Sequence, residues 1–209
     1  MKSIFKHTAL LLIIILYSTD LKCQLEYGQV IGLNLSELAL RTADIRYHPE
    51  ITPGIHFGGF IRLPVTDRLA FQPALIFTAK GSSYKSDSAF FSISPIYVEI
   101  PCNFFLTVGS GAVKLTMFAG PYFAFGVGGN VLDPGKPFRN IVFGNGENDD
   151  IRRYDLGVNA GAGVNISGFL LTAQYGTSLV NLWPGKAGNN ELKNMVTGIT
   201  LFLPLTAKK

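Results

Sequence analysis

The sequence predicts an all-β chain, an eight-stranded antiparallel up-and-down transmembrane β-barrel, and three observations carry that prediction. Apolar residues alternate with small or polar ones in eight successive segments, the period-two pattern of strands with two unlike faces. The connections between those segments alternate between short and long. The chain is also apolar without being helical: 47% of its residues are hydrophobic and 15% charged, yet no apolar run approaches the roughly 20 residues that a membrane-crossing helix needs.

The first strand is expected over Tyr27–Ser36, with Ile31, Leu33 and Leu35 on one face and Val30, Gly32 and Asn34 on the other. The second, Gly54–Leu63, sets Ile55, Phe57, Ile61 and Leu63 opposite His56, Gly58 and Arg62. The third, Arg68–Lys80, sets Leu69, Phe71, Leu75 and Phe77 against Gln72, Ala74 and Thr78. In the fourth, Ile93–Val108, the polar face is Tyr97, Glu99 and Asn103; in the fifth, Val113–Gly128, it is Lys114, Thr116, Gly120, Tyr122 and Gly126. The sixth, Arg153–Ile166, alternates most regularly, Leu156, Val158, Ala160, Ala162 and Val164 against Asp155, Gly157, Asn159, Gly161, Gly163 and Asn165. The seventh, Phe169–Leu179, and eighth, Met195–Leu205, carry Gln174 and Gly176, then Gly198 and Thr200, on the smaller face.

Tight turns are expected at Pro64–Asp67, Gly109–Ala112 and Ser167–Gly168, and long polar loops at Glu37–Pro53, Gly81–Ser92, Gly129–Arg152 and Leu182–Asn194. Short turns at one end, long loops at the other and an even strand number are the marks of an outer-membrane barrel. With eight strands the interior is about wide enough for side chains to fill it. Inward glycines such as Gly157, Gly161 and Gly163 then make room for larger groups from neighbouring strands, and an open diffusion channel is not expected. Pro73, Pro101 and Pro121 each remove a ladder donor, so a bulge or a locally widened register is expected at each.

A basic start (Lys2, Lys6) followed by the apolar stretch Ala9–Tyr17 reads as a signal peptide over residues 1–23, with cleavage between Cys23 and Gln24. Residues 24–209 then form one outer-membrane β-barrel domain. The alternative, a lipid on Cys23, is disfavoured by Lys22 before it. The net charge of +4 is partly a property of the leader, since its removal leaves 15 basic and 13 acidic residues. No basic stripe survives, which argues against nucleic acid as a partner. One cysteine, Cys102, remains, so no intramolecular disulfide is expected.

Several stretches together resemble the PorT-like outer-membrane β-barrel family of Bacteroidetes-type bacteria. They are Gly32–Ser36, the run Gly54–Phe60, Leu69–Leu75 leading to Lys80-Gly81, Tyr97–Pro101, Gly120–Tyr122 and Asp155–Gly157, and in order they span nearly the whole mature chain. The resemblance implies a bacterial outer-membrane location and, from the family's best-known member, a part in protein secretion by the type IX system. The chain departs from the usual terminal aromatic insertion signal: Phe202 is followed by Leu-Pro-Leu-Thr-Ala-Lys-Lys.

Glu99 is a carboxylate on the presumed inner face, where it needs a partner. His56, Arg62, Gln72, Lys114 and Gln174 are the candidates, and with Glu99 they form an expected polar plug of the lumen; a gate or proton-linked switch is the functional alternative. Arg62, Arg68 and Lys114 lie near the short-turn end and line its mouth or meet an anionic partner. His48 with Asp149-Asp150 is the best loop constellation for general-base chemistry, but no nucleophile elbow, metal-binding His pair or phosphate-cradling loop accompanies it. Neither catalytic residues, cofactor nor metal are therefore expected. Aromatics such as Phe57, Phe71, Phe77, Phe104, Phe123, Phe125 and Tyr175 read as lipid-facing, and Trp183 as an outer contact residue or an interface anchor.

The expected function is that of a small integral barrel with a structural or interaction role, in finer form an accessory of protein secretion or envelope assembly. Its partners would be outer-membrane lipid, lipopolysaccharide and other secretion or envelope proteins. Two alternatives stand beside it. One is a soluble, lipocalin-like eight-stranded barrel holding a hydrophobic ligand, which needs the apolar faces turned inward. The other is an outer-membrane barrel enzyme with a loop active site.

Overall fold

The computed structural model describes residues 25–41, 48–86, 89–133, 137–185, 188 and 190–205. The expected signal peptide and its cleavage site lie outside the described residues. Among the described residues ten strands form: β1 (Glu26–Arg41), β2 (His48–Pro64), β3 (Leu69–Ala79), β4 (Ser82–Ser86), β5 (Ala89–Val108), β6 (Val113–Leu132), β7 (Arg139–Asn140), β8 (Tyr154–Ile166), β9 (Phe169–Ser178) and β10 (Glu191–Pro204). Their antiparallel pairings run β1–β2, β2–β3, β3–β5, β5–β6, β6–β8, β8–β9, β9–β10 and back to β1, which closes a ring. β3 and β4 are two parts of one stave, because both pair with β2 on one side and β5 on the other. β7 is a short satellite on β6. The ring therefore has eight staves, as the alternation predicts.

The apolar face points outward. Ile31, Leu33, Leu35, Ile55, Phe57, Leu75, Met117, Leu156 and Ile199 are exposed, while Val30, Asn34, His56, Gln72, Tyr97, Asp155 and Thr200 of the opposite parity are buried. This orientation puts hydrocarbon against hydrocarbon and overturns the lipocalin-like alternative, which needs the reverse. The expected lipid-facing aromatics lie on this belt, several in cross-strand pairs: Phe57 stacks on Phe77 at 5.6 Å, Phe71 meets Phe104 at 5.1 Å, and Phe123 meets Tyr154 at 6.0 Å.

The strands run further outward than the sequence suggests. β1 continues to Arg41, β2 begins at His48 and β10 at Glu191, so most of the expected first loop and the last four residues of the fourth are ladder. The expected second loop is a hairpin, with Ser82↔Ile93 through Ser86↔Ala89 in register. Pro49, Pro53 and the Gly81-Ser82-Ser83 run look like breaks in sequence, yet Pro49 and Pro53 both hold register positions in the ladders.

The prolines meet the expectation in part. No bulge forms at Pro73, Pro101 or Pro121, and register is unchanged across each. Instead each lies at a gap in one of its two ladders. Pairing skips from Phe60↔Ala74 to Leu63↔Phe71 beside Pro73, from Pro73↔Cys102 to Ile76↔Glu99 beside Pro101, and from Pro101↔Tyr122 to Phe104↔Ala119 beside Pro121. Each missing N–H thus interrupts one ladder and leaves the pairing on the other side of its strand intact. The register shift in β5–β6 falls elsewhere, between Ile96 and Tyr97, next to Pro95.

Two of the short turns match the expected residues, and the first is displaced by one, to 65–68. There Thr66 Oγ1 accepts from the N–H groups of Arg68 and Leu69. At Ser167-Gly168 both residues have positive φ, 52° and 101°, the requirement of a two-residue type I′ hairpin. Serine tolerates that region poorly, whereas asparagine visits it readily. We expect Ser167→Asn to stabilise the folded barrel by up to about 1 kcal/mol and Gly168→Val to destabilise it by about 1–2 kcal/mol. Urea midpoints in detergent micelles check both.

Candidate functional site: the layered lumen

A ring of eight staves encloses too little space for a pore, and the inward side chains divide it into three layers. Nearest the short turns is an apolar layer of Val30, Phe60, Ala74, Phe105, Phe118, Leu170 and Phe202. Phe105 stacks on Phe118 at 4.7 Å, and Phe202 meets Phe60 and Phe105 edge-on at 5.6 and 5.7 Å. Phe202 thus faces the lumen, which explains why it does not serve as the lipid-facing terminal aromatic. Phe118 occupies the space a side chain at Gly161 would take, and Tyr122 fills that above Gly157. Glycine on β8 and bulk on β6 are therefore complementary, as the inward glycines suggest.

The middle layer is polar and charged. Lys80, which is buried, lies 2.6 Å from Glu99 Oε2 and 3.8 Å from Asp155 Oδ2, with its ammonium 4.6 Å from the Tyr122 ring centre and 5.4 Å from that of Tyr97. Asp155 Oδ2 also accepts from the Tyr122 hydroxyl (3.2 Å) and from Asn194 Nδ2 (2.8 Å). Beside this cluster, Asn34 Nδ2 donates to Thr78 Oγ1 (2.8 Å), which turns its oxygen toward His56 Nδ1 at 2.7 Å. That assigns the His56 proton to Nδ1 and leaves Nε2 to accept from the Thr200 hydroxyl at 2.9 Å.

Lys80 reaches this position because the third stave is broken there. The register against β2 changes by one residue between His56↔Thr78 and Ile51↔Ser82, while the register against β5 holds. At the seam Lys80 N–H donates to Pro95 O, and Gly81 uses both backbone groups on Ser36 Oγ, donating at 2.8 Å and accepting at 3.1 Å. A polar side chain on the next-but-one strand thus closes a gap that a regular ladder would not have.

The outer layer is apolar again and is built partly from loops. Leu38, Tyr84, Ile93, Val131 and Leu192 from the strands pack with Ile141, Ile151 and Leu182 from the third and fourth loops, and Phe143, Val180 and Trp183 lean on them. Phe143 fills the notch over Gly126 and meets Tyr97 edge-on at 6.3 Å. The third loop, expected to be long and polar, thus turns Ile141, Phe143 and Ile151 inward as part of a cap over the lumen, while 145–148 stay exposed. Trp183 packs on that cap and is half-buried there. Arg139 grips Asp150 with two bonds of 2.6 Å, and Asp150 also accepts from Val142 N–H at 2.8 Å. Asn181 Oδ1 accepts from Trp183 and Leu192 N–H groups, fastening the fourth loop.

Of the six residues expected in the polar plug, Glu99, His56, Gln72 and Gln174 meet around the same small spaces in the lumen. Arg62 sits nearer the short turns, where its Nε donates to Gln72 Oε1 (2.7 Å), its Nη1 pairs with Glu26 (3.2 Å), and its plane covers Phe60 and Phe105. Lys114 is in the mouth, which with Arg68, Asp67, Thr107 and Asn165 lines an open bowl of about 410 Å³. None of the five expected partners holds Glu99. Lys80 does, and the signal that finds it is a lysine at the end of an otherwise inward-polar parity run, Gln72, Ala74, Ile76, Thr78, Lys80. Of the loop constellation, Asp150 is engaged by Arg139 and Asp149 accepts from Gly146 N–H; the His48 side chain lies outside what is described.

Removing Lys80 strands two carboxylates in the lumen. We expect Lys80→Met to cost about 3–5 kcal/mol, and the double change with Glu99→Leu to recover part of it, measured by urea unfolding in micelles. In the cap, burial works to raise the Asp150 carboxyl pKa, but the Arg139 hydrogen bonds, the Val142 N–H and the Arg139 charge outweigh it and hold it below its ordinary value. A depressed carboxylate stabilises the folded cap above the ordinary carboxylate range, and that contribution is lost as pH falls through the lowered value. Fluorescence of Trp183, the chain's one tryptophan, should therefore stay constant at neutral pH and report cap loosening only in acid. In Asp150→Asn the loosened signal should be present already at neutral pH.

The family model described as "Outer membrane protein beta-barrel domain" matches residues 22–183. Solved structures similar to the chain include Ail, the attachment invasion locus protein of Yersinia pestis, in complex with the heparin analogue sucrose octasulfate. That similarity is 12% identity over 86% of this chain and 99% of that one, with a TM-score of 0.42. Neisserial surface protein A is 13% identical over 84% and 96% of the two chains, with a TM-score of 0.43. The N-terminal β-barrel domain of Pseudomonas aeruginosa OprF is 12% identical over 84% and 98%, with a TM-score of 0.31. No curated protein matches the chain.

Proposed function

Because the chain belongs to the family of outer membrane protein β-barrel domains, we propose that it is a non-conducting, non-enzymatic barrel with a structural or interaction role at its two rims, serving as an accessory of type IX-like protein secretion or of envelope assembly. Its location is the bacterial outer membrane. The observation that carries the reading is the filled lumen: apolar layers at both ends enclose a polar middle whose spaces measure only about 30 and 20 Å³. A solute has no path through such a stack, so what the barrel meets, it meets at its surfaces. The apolar belt takes outer-membrane lipid and lipopolysaccharide, and the rims take other secretion or envelope proteins. The engagement of Asp150 by Arg139 supports the non-enzymatic part, since it occupies the best loop carboxylate.

Planar-bilayer recording of the purified barrel should show no sustained conductance steps, and a steady open level would refute the sealed lumen. A photocrosslinker at Arg68, on the periplasmic rim, and another at Phe138, on the outer cap, should each capture a defined envelope protein in intact cells. A deletion strain should secrete less protein or show a leakier envelope. Wild-type behaviour in both assays, with no capture at either rim, would remove the accessory role.

A further inference from the structure

Two small spaces in the middle of the lumen share His56, Ile76, Glu99, Asn159 and Gln174 in their walls. Lys80 closes one of them and Asn103 the other. Each is large enough for a water-sized occupant, for which about 10–15 Å³ suffices. The walls carry a surplus of acceptors. Asn103, which is 6% exposed, and Asn159 both have side-chain oxygens with no hydrogen-bond partner among the described residues. Asp155, fully buried beside Lys80 and Tyr122 but not on the wall of either space, has its second oxygen Oδ1 in the same condition. Buried polar atoms of native proteins almost always have partners, so two such acceptors, Asn103 and Asn159, on the wall of one space call for an occupant.

Charge points the same way. The layer holds two carboxylates, Glu99 and Asp155, against one ammonium, Lys80, which touches both. The hydrogen bonds of His56 are complete with a neutral ring. The layer thus has one negative charge in excess, enclosed between the apolar layers, where an uncompensated charge is costly. A neutral water would satisfy the acceptors and leave the charge. A cation satisfies both. Carboxylate and carboxamide oxygens are hard donors, and an excess of a single charge suits a monovalent ion better than a divalent one.

We infer that the mid-lumen space bounded by Glu99, Asn103, Asn159 and Gln174 binds one monovalent alkali cation, which together with Lys80 neutralises Glu99 and Asp155. The ion is a structural ligand that enters as the barrel closes around it, since the layers above and below leave no route afterwards. It stabilises the folded state in the saturable manner of any ligand that the unfolded chain does not bind.

The test refolds the full chain from urea into detergent micelles in sodium, potassium or choline chloride at one ionic strength, so that surface screening is the same in all three. The thermal midpoint should be a few degrees higher in sodium or potassium than in choline and should saturate with concentration. After exchange into choline buffer, elemental analysis should find about one alkali ion per chain. Glu99→Gln removes the excess charge and Asn159→Ala removes an oxygen without changing charge; both should lose the preference for alkali over choline. Asn159→Ala keeps the test decisive if Glu99→Gln does not refold. Equal midpoints in the three salts overturn the assignment, as does an alkali preference that survives Asn159→Ala. A midpoint that responds to pH and to none of the cations also overturns it, because a proton would then supply the missing charge.

Discussion

Inside a bilayer a backbone N–H or C=O has no water to turn to, and a sheet that crosses lipid can leave no edge. The pairing of β1 with β10, from Gly28↔Pro204 to Arg41↔Glu191, is therefore the contact on which the rest of the molecule depends. It joins the two ends of the described chain and converts a meander into a ring. The same constraint governs the prolines. Pro73, Pro101 and Pro121 sit on three successive staves, and each opens a different ladder, so no two ladders lose donors at the same place. The ring tolerates three missing donors because the loss is spread around it.

Closure at eight staves fixes the width of the lumen, and that width dictates what fills it. Bulky inward groups fit only where the facing stave recedes, hence Tyr122 over Gly157 and Phe118 over Gly161. A wholly apolar filling would have been possible, yet the middle carries Lys80, Glu99 and Asp155. A buried ion pair rarely adds much stability over a well-packed apolar substitute. Its contribution here is better sought in selection of register. A shift of one residue would turn Lys80 or Glu99 toward hydrocarbon, a much larger penalty than mispacking two aliphatic groups.

Face parity was legible from sequence because lipid on one side and a crowded lumen on the other impose unlike residue types at every second position. Strand ends were not. Beyond the lipid belt the outer face becomes polar, Glu37 and Arg41 on β1 for example, and the contrast on which the period-two reading relies fades while the hydrogen-bonded ladder continues. The partner of Glu99 was hidden for a different reason. The parity of its stave turns Lys80 inward, but Lys80 lies at a seam where that stave changes register on one side only, so the pattern of one strand does not say which inward group it meets. The cap was not foreseen because the acidic and amide residues of 144–150, which do stay at the surface, dominate the composition of the third loop. Ile141, Phe143 and Ile151 on either side of that run were the visible signal, and Leu182-Trp183 in the fourth loop was the matching one.

The two ends of the barrel differ in a way that bears on what they can contact. At the short-turn end the lumen opens into a wet bowl, where Arg62 is held by Glu26 and Gln72 at the boundary with the apolar layer, and Arg68 and Lys114 lie further out. Charges in such a setting are screened and adaptable, suited to weak, exchangeable contacts. At the outer end the described parts of the third and fourth loops are packed together, pinned by the Arg139–Asp150 pair and by Asn181, with Phe138 and Val142 left exposed. A preorganised apolar surface loses little conformational entropy on binding, whereas flexible loops must be ordered first. Sealing the lumen from above therefore does more than block passage: the packing that closes the barrel is also what holds the described part of the cap in one shape.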